Sequence, residues 1–254
     1  MNSNLGRRTF LQRLVALGIL DTTPGKAIKA KAVKKRPAPP YSKPDGLTIL
    51  FQGDSITDGG RWREGSDLNH SMGQSYPYLL SSRLGYDNPK RGLKFINRGI
   101  SGNTVADLLG RWQPDTIDLQ PDILSILIGV NDLDHFMRGD KDHAADQFEK
   151  RYRTLLSLTK DKLPKTRLIL GEPFLLPVGR IRESWQQYSS EVAVRQKIVQ
   201  QIASDFHTEY IPFQQAFNKS LHEAPADYWI WDGIHPTPAG HELLAREWLK
   251  RLLI

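Results

Sequence analysis

The 254-residue sequence contains no cysteine and no apolar run of membrane-spanning length. Without cysteine the chain can form no disulfide, no thiolate nucleophile and no cysteine-ligated zinc site, although export from the cytoplasm is not excluded. The apolar stretch near the N-terminus, Leu14–Leu20, is far too short to cross a bilayer as a helix, so no membrane span is expected in the mature protein. Apolar residues make up 39% and charged residues 25%, which is typical of a globular protein with room for one large core.

The basic charge of the sequence is confined to its N-terminal arm. The whole chain has a formal net charge of +7, yet residues 1–45 alone hold ten lysines and arginines against two acidic residues. The rest of the chain holds 25 basic and 26 acidic residues, so the folded part is close to neutral. A nucleic-acid-binding domain needs a basic face on its folded part, and no nucleic-acid partner is therefore expected.

The arm itself resembles a twin-arginine export signal. It begins MNSNLGRRTFLQRLVALGIL, in which Arg7-Arg8 precede the short apolar stretch. We therefore predict an export signal over residues 1–32, a Pro/Lys-rich linker over 33–45, and a periplasmic location. Ala30-Lys31-Ala32 is a candidate cleavage site, but the surrounding lysines are atypical and leave the cut open. The alternative is a basic tail that stays attached, as in a surface-anchoring protein.

From Gly46 onward, strand-like and helix-like segments alternate. Five apolar runs have the length of strands: Leu47–Phe51, Leu93–Ile96, Ile123–Ile128, Arg167–Leu170 and Tyr210–Phe213. Amphipathic stretches predict helices over Ser75–Leu84, Thr104–Trp112, Gln147–Leu163, Trp185–Phe206 and Pro238–Leu253. Apolar strands separated by helices are typical of a parallel sheet covered on both faces. We therefore predict an α/β protein, a flavodoxin-like three-layer α/β/α sandwich with a five-stranded parallel sheet, in one domain over residues 46–254.

A serine stands at the carboxyl end of the first predicted strand, which is where ligands bind in sheets of this kind. The strand ends in Gly53-Asp54-Ser55. A serine nucleophile needs a base, and the base needs a carboxylate to orient it. Serine after a strand is also a common helix N-cap, so Ser55 taken alone leaves both interpretations open.

An aspartate three residues before a histidine would supply the carboxylate and the base. The spacing alone decides nothing, because it occurs four times, at Asp67/His70, Asp132/His135, Asp140/His143 and Asp232/His235. Only the last pair follows the last predicted strand and precedes the last helix, which places it at the same edge of the sheet as Ser55. Position therefore favours Asp232 and His235.

Backbone and amide N–H groups at the same edge are candidates to bind an oxyanion. Gly102 lies in a tight turn after the second strand, and Asn131 follows the third strand. With the N–H of Ser55 they offer three donors for a tetrahedral intermediate. Each also has a purely structural interpretation, Gly102 as a turn residue and Asn131 as an Asx-turn or helix cap.

The segment DLDHFMRGDKDH, residues 132–143, is expected to be solvated surface because it is densely charged. Asp132, Asp134, Asp140 and His143 are residue types that ligate metals. They show no recognisable ligand spacing in the sequence, so no metal is predicted.

These residues together resemble the four sequence blocks of the SGNH (GDSL) hydrolase family. Gly53-Asp54-Ser55, Gly102, Gly129-x-Asn131-Asp132 and Asp232-x-x-His235 occur in the order of that family. The resemblance implies Ser55 as nucleophile, His235 as general base, Asp232 as its orienting carboxylate, and Ser55, Gly102 and Asn131 as the oxyanion hole. The Gly-x-Ser-x-Gly elbow of ordinary α/β-hydrolases is absent.

Longer segments, including GDSITDGGRWREG and WDGIHPTPAGHELLAREWL, look like the serine acetylxylan esterases of this family. That resemblance implies an acetylated oligo- or polysaccharide as substrate and no cofactor. Residues that would contact a sugar near the site are Arg61, Trp62, Arg98, Asn103 and Trp231. Two alternatives stay open, a lipid-directed lysophospholipase or thioesterase and a non-catalytic carbohydrate-binding module. The sequence shows no interface signature, so a homo-oligomer is left open.

Overall fold

The computed structural model describes residues 46–64 and 67–252. The export signal and linker predicted over residues 1–45 lie outside this part of the chain. Within it, five strands form one parallel sheet in the order β2-β1-β3-β4-β5. The strands are β1 Thr48–Gly53, β2 Lys94–Asn97, β3 Ile123–Leu127, β4 Arg167–Gly171 and β5 Glu209–Ile211.

Ten α-helices connect and follow these strands in the described residues. They are α1 Ser55–Asp58, α2 Leu68–Met72, α3 Tyr76–Asp87, α4 Val105–Gly110, α5 Val130–Met137, α6 Ala145–Lys162, α7 Trp185–Asp205, α8 Phe213–Ser220, α9 Ala226–Trp229 and α10 Pro238–Leu252. A π-helical turn, Gln113–Ile117, and 3₁₀ turns at Lys141–His143 and Gly179–Ile181 complete the connections. None of the helices in the described ranges is both long and apolar enough to cross a membrane.

The sheet is buried on both faces, because successive side chains of a strand pack into two separate hydrophobic cores. Ile49 and Phe51 of β1 pack on one side with α3, α8 and α10, whereas Leu50 packs on the other side with α4, α6 and α7. On the first side the indole N–H of Trp248 donates to Ser125 Oγ at 3.0 Å, which ties α10 to β3. This is the predicted three-layer α/β/α sandwich.

Two features of the fold differ from the sequence prediction for a physical reason, one a strand boundary and the other the burial of a charged segment. Phe213 was expected to end the fifth strand, but it begins α8 after Pro212, and its ring fills the space beside Gly171, where an added Cβ would lie 2.4 Å from it. The first half of the segment expected to be solvated surface instead lies in α5, and its Asp132 and Asp134 are buried. The expectation of solvated surface was therefore wrong for these two carboxylates.

The direction in which successive strands are added to the sheet reverses between β1 and β3. The chain passes from β1 outward to β2 and then crosses back to β3 on the other side of β1. At such a switch point the loops after the neighbouring strands diverge and leave a crevice at their carboxyl ends. The segments that follow β1, β2 and β3 therefore line the same crevice.

The central strand β3 makes a direct test of the core possible. Leu124 is fully buried in β3, whereas Leu68 of α2 is 74% exposed. Leu124→Ala should lower the free energy of unfolding by about 2–5 kcal/mol, because it leaves a cavity that the packed sheet cannot close. The matched substitution Leu68→Ala should change it by less than about 0.5 kcal/mol. Urea unfolding followed by circular dichroism measures both, and equal effects would contradict the core described above.

Candidate active site

Ser55 is the first residue of α1, directly after the turn that ends β1. Asp54 caps this helix, since its Oδ1 accepts a hydrogen bond from the Ile56 N–H at 3.0 Å. The turn needs glycine at position 53, because a Cβ there would lie 2.3 Å from Thr57 Oγ1 and 2.4 Å from the Leu127 carbonyl oxygen. The capping role that the sequence left open for Ser55 therefore belongs to Asp54, and the Ser55 hydroxyl is available for another partner.

That partner is His235. Ser55 Oγ lies 2.8 Å from His235 Nε2, and His235 Nδ1 lies 2.7 Å from Asp232 Oδ2. With the Asp232 carboxylate accepting from Nδ1–H, Nε2 is left as the acceptor for the serine hydroxyl proton. Three residues from opposite ends of the described chain thus form one continuous chain of hydrogen bonds.

The Asp232 carboxylate is held in its charged form by the turn that follows it. Its Oδ1 accepts hydrogen bonds from the N–H groups of Ile234 at 3.0 Å and His235 at 2.7 Å. Partial burial opposes the charge, but these bonds and the one from the His235 ring outweigh it and hold the pKa of Asp232 below its ordinary value. The carboxylate is therefore ionised at neutral pH and orients the imidazole.

A loop after β4 supports this turn, and the sequence interpretation did not identify it as part of the site. The N–H of Leu176 donates to the Gly233 carbonyl at 3.1 Å, and the N–H of Arg180 donates to the Asp232 carbonyl at 3.2 Å. Gly179 has a φ of +56°, and a Cβ at that position would lie 2.4 Å from Asp232 Cα. An isolated glycine was the only sequence signal for this close approach.

Gly102 lies on the loop after β2 and Asn131 lies in the first turn of α5, and both segments are tied to the same edge. The N–H of Ile100 donates to the Gly53 carbonyl at 3.1 Å, which fixes the loop after β2 to the end of β1. Gly102 has a φ of +85°, which an L side chain rarely adopts. Asn131 Nδ2 donates one hydrogen to the Asn103 carbonyl at 2.9 Å, which leaves the second amide hydrogen for another acceptor. Gly129, not Asn131, is the N-cap of α5.

The polar residues predicted to contact substrate all have partners within the protein. Arg61 is 8% exposed, and its Nε donates to the Gly99 carbonyl at 2.8 Å. Arg98 Nε lies 3.7 Å from Asp115 Oδ1. The Asn103 side chain accepts from Arg111 Nε at 2.8 Å. These contacts shape the loop that carries Gly102, and a role of Arg61, Arg98 or Asn103 toward substrate stays a prediction.

The two predicted tryptophans are exposed beside this edge. Trp231 is 62% exposed, and its ring stacks on that of His235 with centroids 6.0 Å apart and an angle of 23° between the planes. Trp62 is 54% exposed and meets the His70 ring edge-on. It lines a cleft of about 510 Å³ that reaches Pro238, three residues after His235. A second cleft, of about 640 Å³, runs along β5 and shares no lining residue with the site.

Two buried carboxyl groups lie beneath the site. Asp54 is 1% exposed, and burial, assisted by the nearby charge of Asp132, raises its pKa to about 7 against the hydrogen bond from Ile56. Burial also raises the pKa of Asp132, although its carboxylate accepts from the Val105 N–H at 3.1 Å. Asp132 follows Asn131 directly, so this bond fixes the start of α5 against α4.

Comparison with known proteins gives matches over most of the described chain. The model of the GDSL-like lipase/acylhydrolase family matches residues 51–243. An acetylxylan esterase of Geobacillus stearothermophilus is 36% identical over 216 residues, which cover 82% of this chain and 94% of that enzyme.

Solved structures agree with the sequence matches. A Parabacteroides merdae protein described as a GDSL-like lipase superposes with a TM-score of 0.78 at 38% identity, covering 82% of this chain and 96% of that one. A catalytic mutant of the Geobacillus esterase, in which a histidine is replaced by alanine, gives 0.73 at 33% identity, covering 83% and 95%. Other catalytic mutants of that esterase replace a serine or an aspartate.

The protonation of Asp54 predicts a pH dependence of stability. The folded pKa of about 7 lies above the ordinary value of 3.8, so between these pH values the unfolded chain loses a proton that the folded chain keeps. The contribution of Asp54 to stability is full below pH 4 and is lost as the pH rises to about 7. Asp54→Asn has no proton to lose, so its stability relative to the wild type should rise between pH 5 and 7 and level off above.

Urea unfolding at several pH values measures this difference, which should amount to a few kcal/mol at most, on the order expected for a shift of this size. Asp205→Asn is the control. Hydrogen bonding from Gln201 and Arg153 lowers the pKa of the exposed Asp205, so its effect should not vary between pH 5 and 8. A flat difference for Asp54→Asn would show that Asp54 is ionised in the folded protein.

Proposed function

The chain belongs to the GDSL-like lipase/acylhydrolase family and is a carboxylic ester hydrolase, and from this premise we propose that it is a serine esterase that removes O-acetyl groups from xylan-type carbohydrates. The observation that carries the proposal is the unbroken chain from Ser55 Oγ through the His235 ring to Asp232, with bonds of 2.8 and 2.7 Å. In this proposal Ser55 is the nucleophile, His235 the general base and Asp232 its orienting carboxylate.

The chemistry follows from this arrangement. Ser55 Oγ attacks the ester carbonyl carbon while its proton passes to His235 Nε2. The carbonyl oxygen becomes an oxyanion, and the bond to the sugar oxygen then breaks as His235 returns the proton to that oxygen. Water attacks the acetyl-serine by the same route and gives one proton to His235, which passes it to Ser55 Oγ as the acyl bond breaks. Acetic acid leaves and loses its remaining proton to solvent. No other group of the protein has to gain or lose a proton.

The oxyanion would be bound by three N–H donors. The N–H of Ser55 opens α1, where the first amides have no partner within the helix. The N–H of Gly102 comes from the loop after β2, and the second hydrogen of the Asn131 amide comes from the first turn of α5, which is tied to that loop. Because the Asn131 amide is already fixed by the Asn103 carbonyl, it would need no reorientation as charge develops.

The substrate class rests on the relatives. The matched Geobacillus enzyme is an acetylxylan esterase, and its catalytic mutants replace a serine, an aspartate and a histidine. The aspartate and histidine of those mutants are three positions apart, as are Asp232 and His235. An acetylated polysaccharide also fits the export to the periplasm that we propose for residues 1–32. A lipid-directed enzyme would need an apolar acyl groove, whereas Arg61, Arg98 and Asn103 make this edge polar.

Substitution of the nucleophile tests the proposal. Ser55→Ala should lower kcat for acetate release from acetylated xylo-oligosaccharides by a factor of about 10⁴ or more. Asn131→Ala should lower it by about 10²–10³, the usual effect of one lost oxyanion donor. The control is Ser81→Ala, a half-buried serine of α3 whose hydroxyl donates to the Tyr78 carbonyl of its own helix. Full activity of Ser55→Ala would overturn the proposed mechanism. Faster hydrolysis of long-chain nitrophenyl esters than of nitrophenyl acetate would overturn the proposed substrate class.

The exposed aromatic beside the cleft tests the carbohydrate part separately. Trp62→Ala should raise KM for acetylated xylo-oligosaccharides about 2- to 10-fold, because the sugar would lose its contact with one aromatic face. KM for nitrophenyl acetate should be unchanged. Tyr86→Ala is the control, because Tyr86 is 87% exposed on α3 and has no place at the cleft. Equal KM values for Trp62→Ala and wild type on the oligosaccharide would remove Trp62 from the substrate site.

A further inference from the structure

Three side chains with metal-ligand atoms converge where α5 turns toward α6. His135 lies near the end of α5, His143 lies in the following 3₁₀ turn, and Asp140 lies between them. One ligand atom from each residue lies within 4.8 Å of the other two. We propose that His135, Asp140 and His143 bind a divalent first-row transition metal of the Zn²⁺ type, at a site separate from Ser55 and independent of the proposed esterase activity.

The carboxylate of Asp140 is oriented toward both histidines. Its Oδ1 accepts from the Asp142 N–H at 3.0 Å, because Asp140 caps the 3₁₀ turn. Its Oδ2 lies 4.0 Å from His135 Nδ1 and 3.8 Å from His143 Nε2. The imidazole rings face each other with centroids 4.6 Å apart. One oxygen thus positions the carboxylate, and the other lies about 4 Å from a nitrogen of each ring.

The distances fit a metal after a small closure. Ligand atoms at about 2.0–2.1 Å from a tetrahedral Zn²⁺ are about 3.3 Å from each other. The contraction from the two carboxylate–nitrogen distances is about 0.5–0.7 Å, and that of the two ring nitrogens, which lie within 4.8 Å, is at most about 1.5 Å by that estimate. The side chains of His135 and Asp140 are 47% and 49% exposed, so rotation about their own bonds can supply it. His143 is 12% exposed and is the anchored member of the three.

The second ring nitrogen of His143 supports the assignment independently. His143 Nδ1 is buried and has no hydrogen-bond partner, and it faces Asp132 Oδ1 at 3.6 Å. Asp132 itself is fully buried. Histidines that ligate metals commonly direct their other nitrogen at a carboxylate, which fixes the tautomer and strengthens the metal bond. His143 is held further by Arg195 Nη2, which donates to its backbone carbonyl at 2.8 Å.

The donor set selects the kind of ion. Two imidazoles and one carboxylate suit Zn²⁺, Ni²⁺, Co²⁺ or Cu²⁺, whereas Ca²⁺ and Mg²⁺ prefer six or more oxygen ligands. Three protein ligands leave one or more positions to water. The sequence spacing does not reveal this set, because the ligands combine one position at the end of a helix with two in the turn that follows it.

The test uses the untagged full chain, stripped with a chelator and desalted. Isothermal titration with ZnCl₂ should give one saturable site, and CoCl₂ should give visible d–d absorption bands. His135→Ala and Asp140→Asn should each weaken Zn²⁺ binding by about 100-fold or more, since even outer contacts of metal ligands are worth 10–100-fold. Asp140→Asn keeps the capping oxygen, and circular dichroism verifies that both variants fold.

His70→Ala is the matched control. His70 Nδ1 lies 2.8 Å from Asp67 Oδ1, so this is a histidine–aspartate pair at the same sequence spacing but without a second histidine. Its loss should leave Zn²⁺ affinity unchanged, and CaCl₂ should give no saturable binding. The proposal fails if the stripped protein binds no Zn²⁺, if both site variants bind it as the wild type does, or if His70→Ala alone abolishes binding.

Discussion

The hydrogen bond between Ser55 and His235 joins residues 180 positions apart. It forms only if the segment after β1 and the segment before α10 are both held in place at the carboxyl edge of the sheet. Ser55 reaches it through the rigid turn at Gly53, which has no room for a side chain. His235 reaches it through the turn that starts at Asp232, which two backbone N–H groups fold around one carboxylate oxygen. Neither turn would place its side chain without the parallel sheet that spaces the strands and helix α10, which follows His235 and buries one face against the sheet.

At the same edge, hydrogen bonds fix the positions of segments that are not covered by other parts of the protein. The loop after β2 is tied to β1 by the bond from Ile100 to Gly53, and α5 is tied to that loop by the bond from Asn131 to Asn103. A buried carboxyl group adds to this framework, because Asp132 accepts the first N–H of α4 from within the core. A side-chain amide that is already fixed can meet a developing charge at little cost in reorganisation. Hydrogen bonds between these segments therefore fix their positions at the edge, as apolar packing fixes the strands and helices in the core.

Much of this architecture could be predicted from the residues. The apolar runs predict all five strands, because strands buried on both faces read as unbroken apolar segments, and the rule for carboxyl ends brings Ser55, Asn131 and His235 to one edge. Contacts between backbones could not be predicted. Gly179 lies against Asp232 although more than fifty residues separate them, and no periodicity encodes such an approach. The buried state of Asp132 and Asp134 was missed because charge density is a poor guide to exposure when each carboxylate has donors of its own.

The stacking of Trp231 on His235 gives this molecule an optical property of its own. Trp112 and Trp248 are sealed in the two cores, where their environment does not change with the state of the edge. Trp231 instead emits from the exposed edge, directly beside the His235 ring. Changes at this edge therefore reach the emission of the exposed indoles, Trp231 beside His235 and Trp62 beside His70, while the two buried indoles are unaffected.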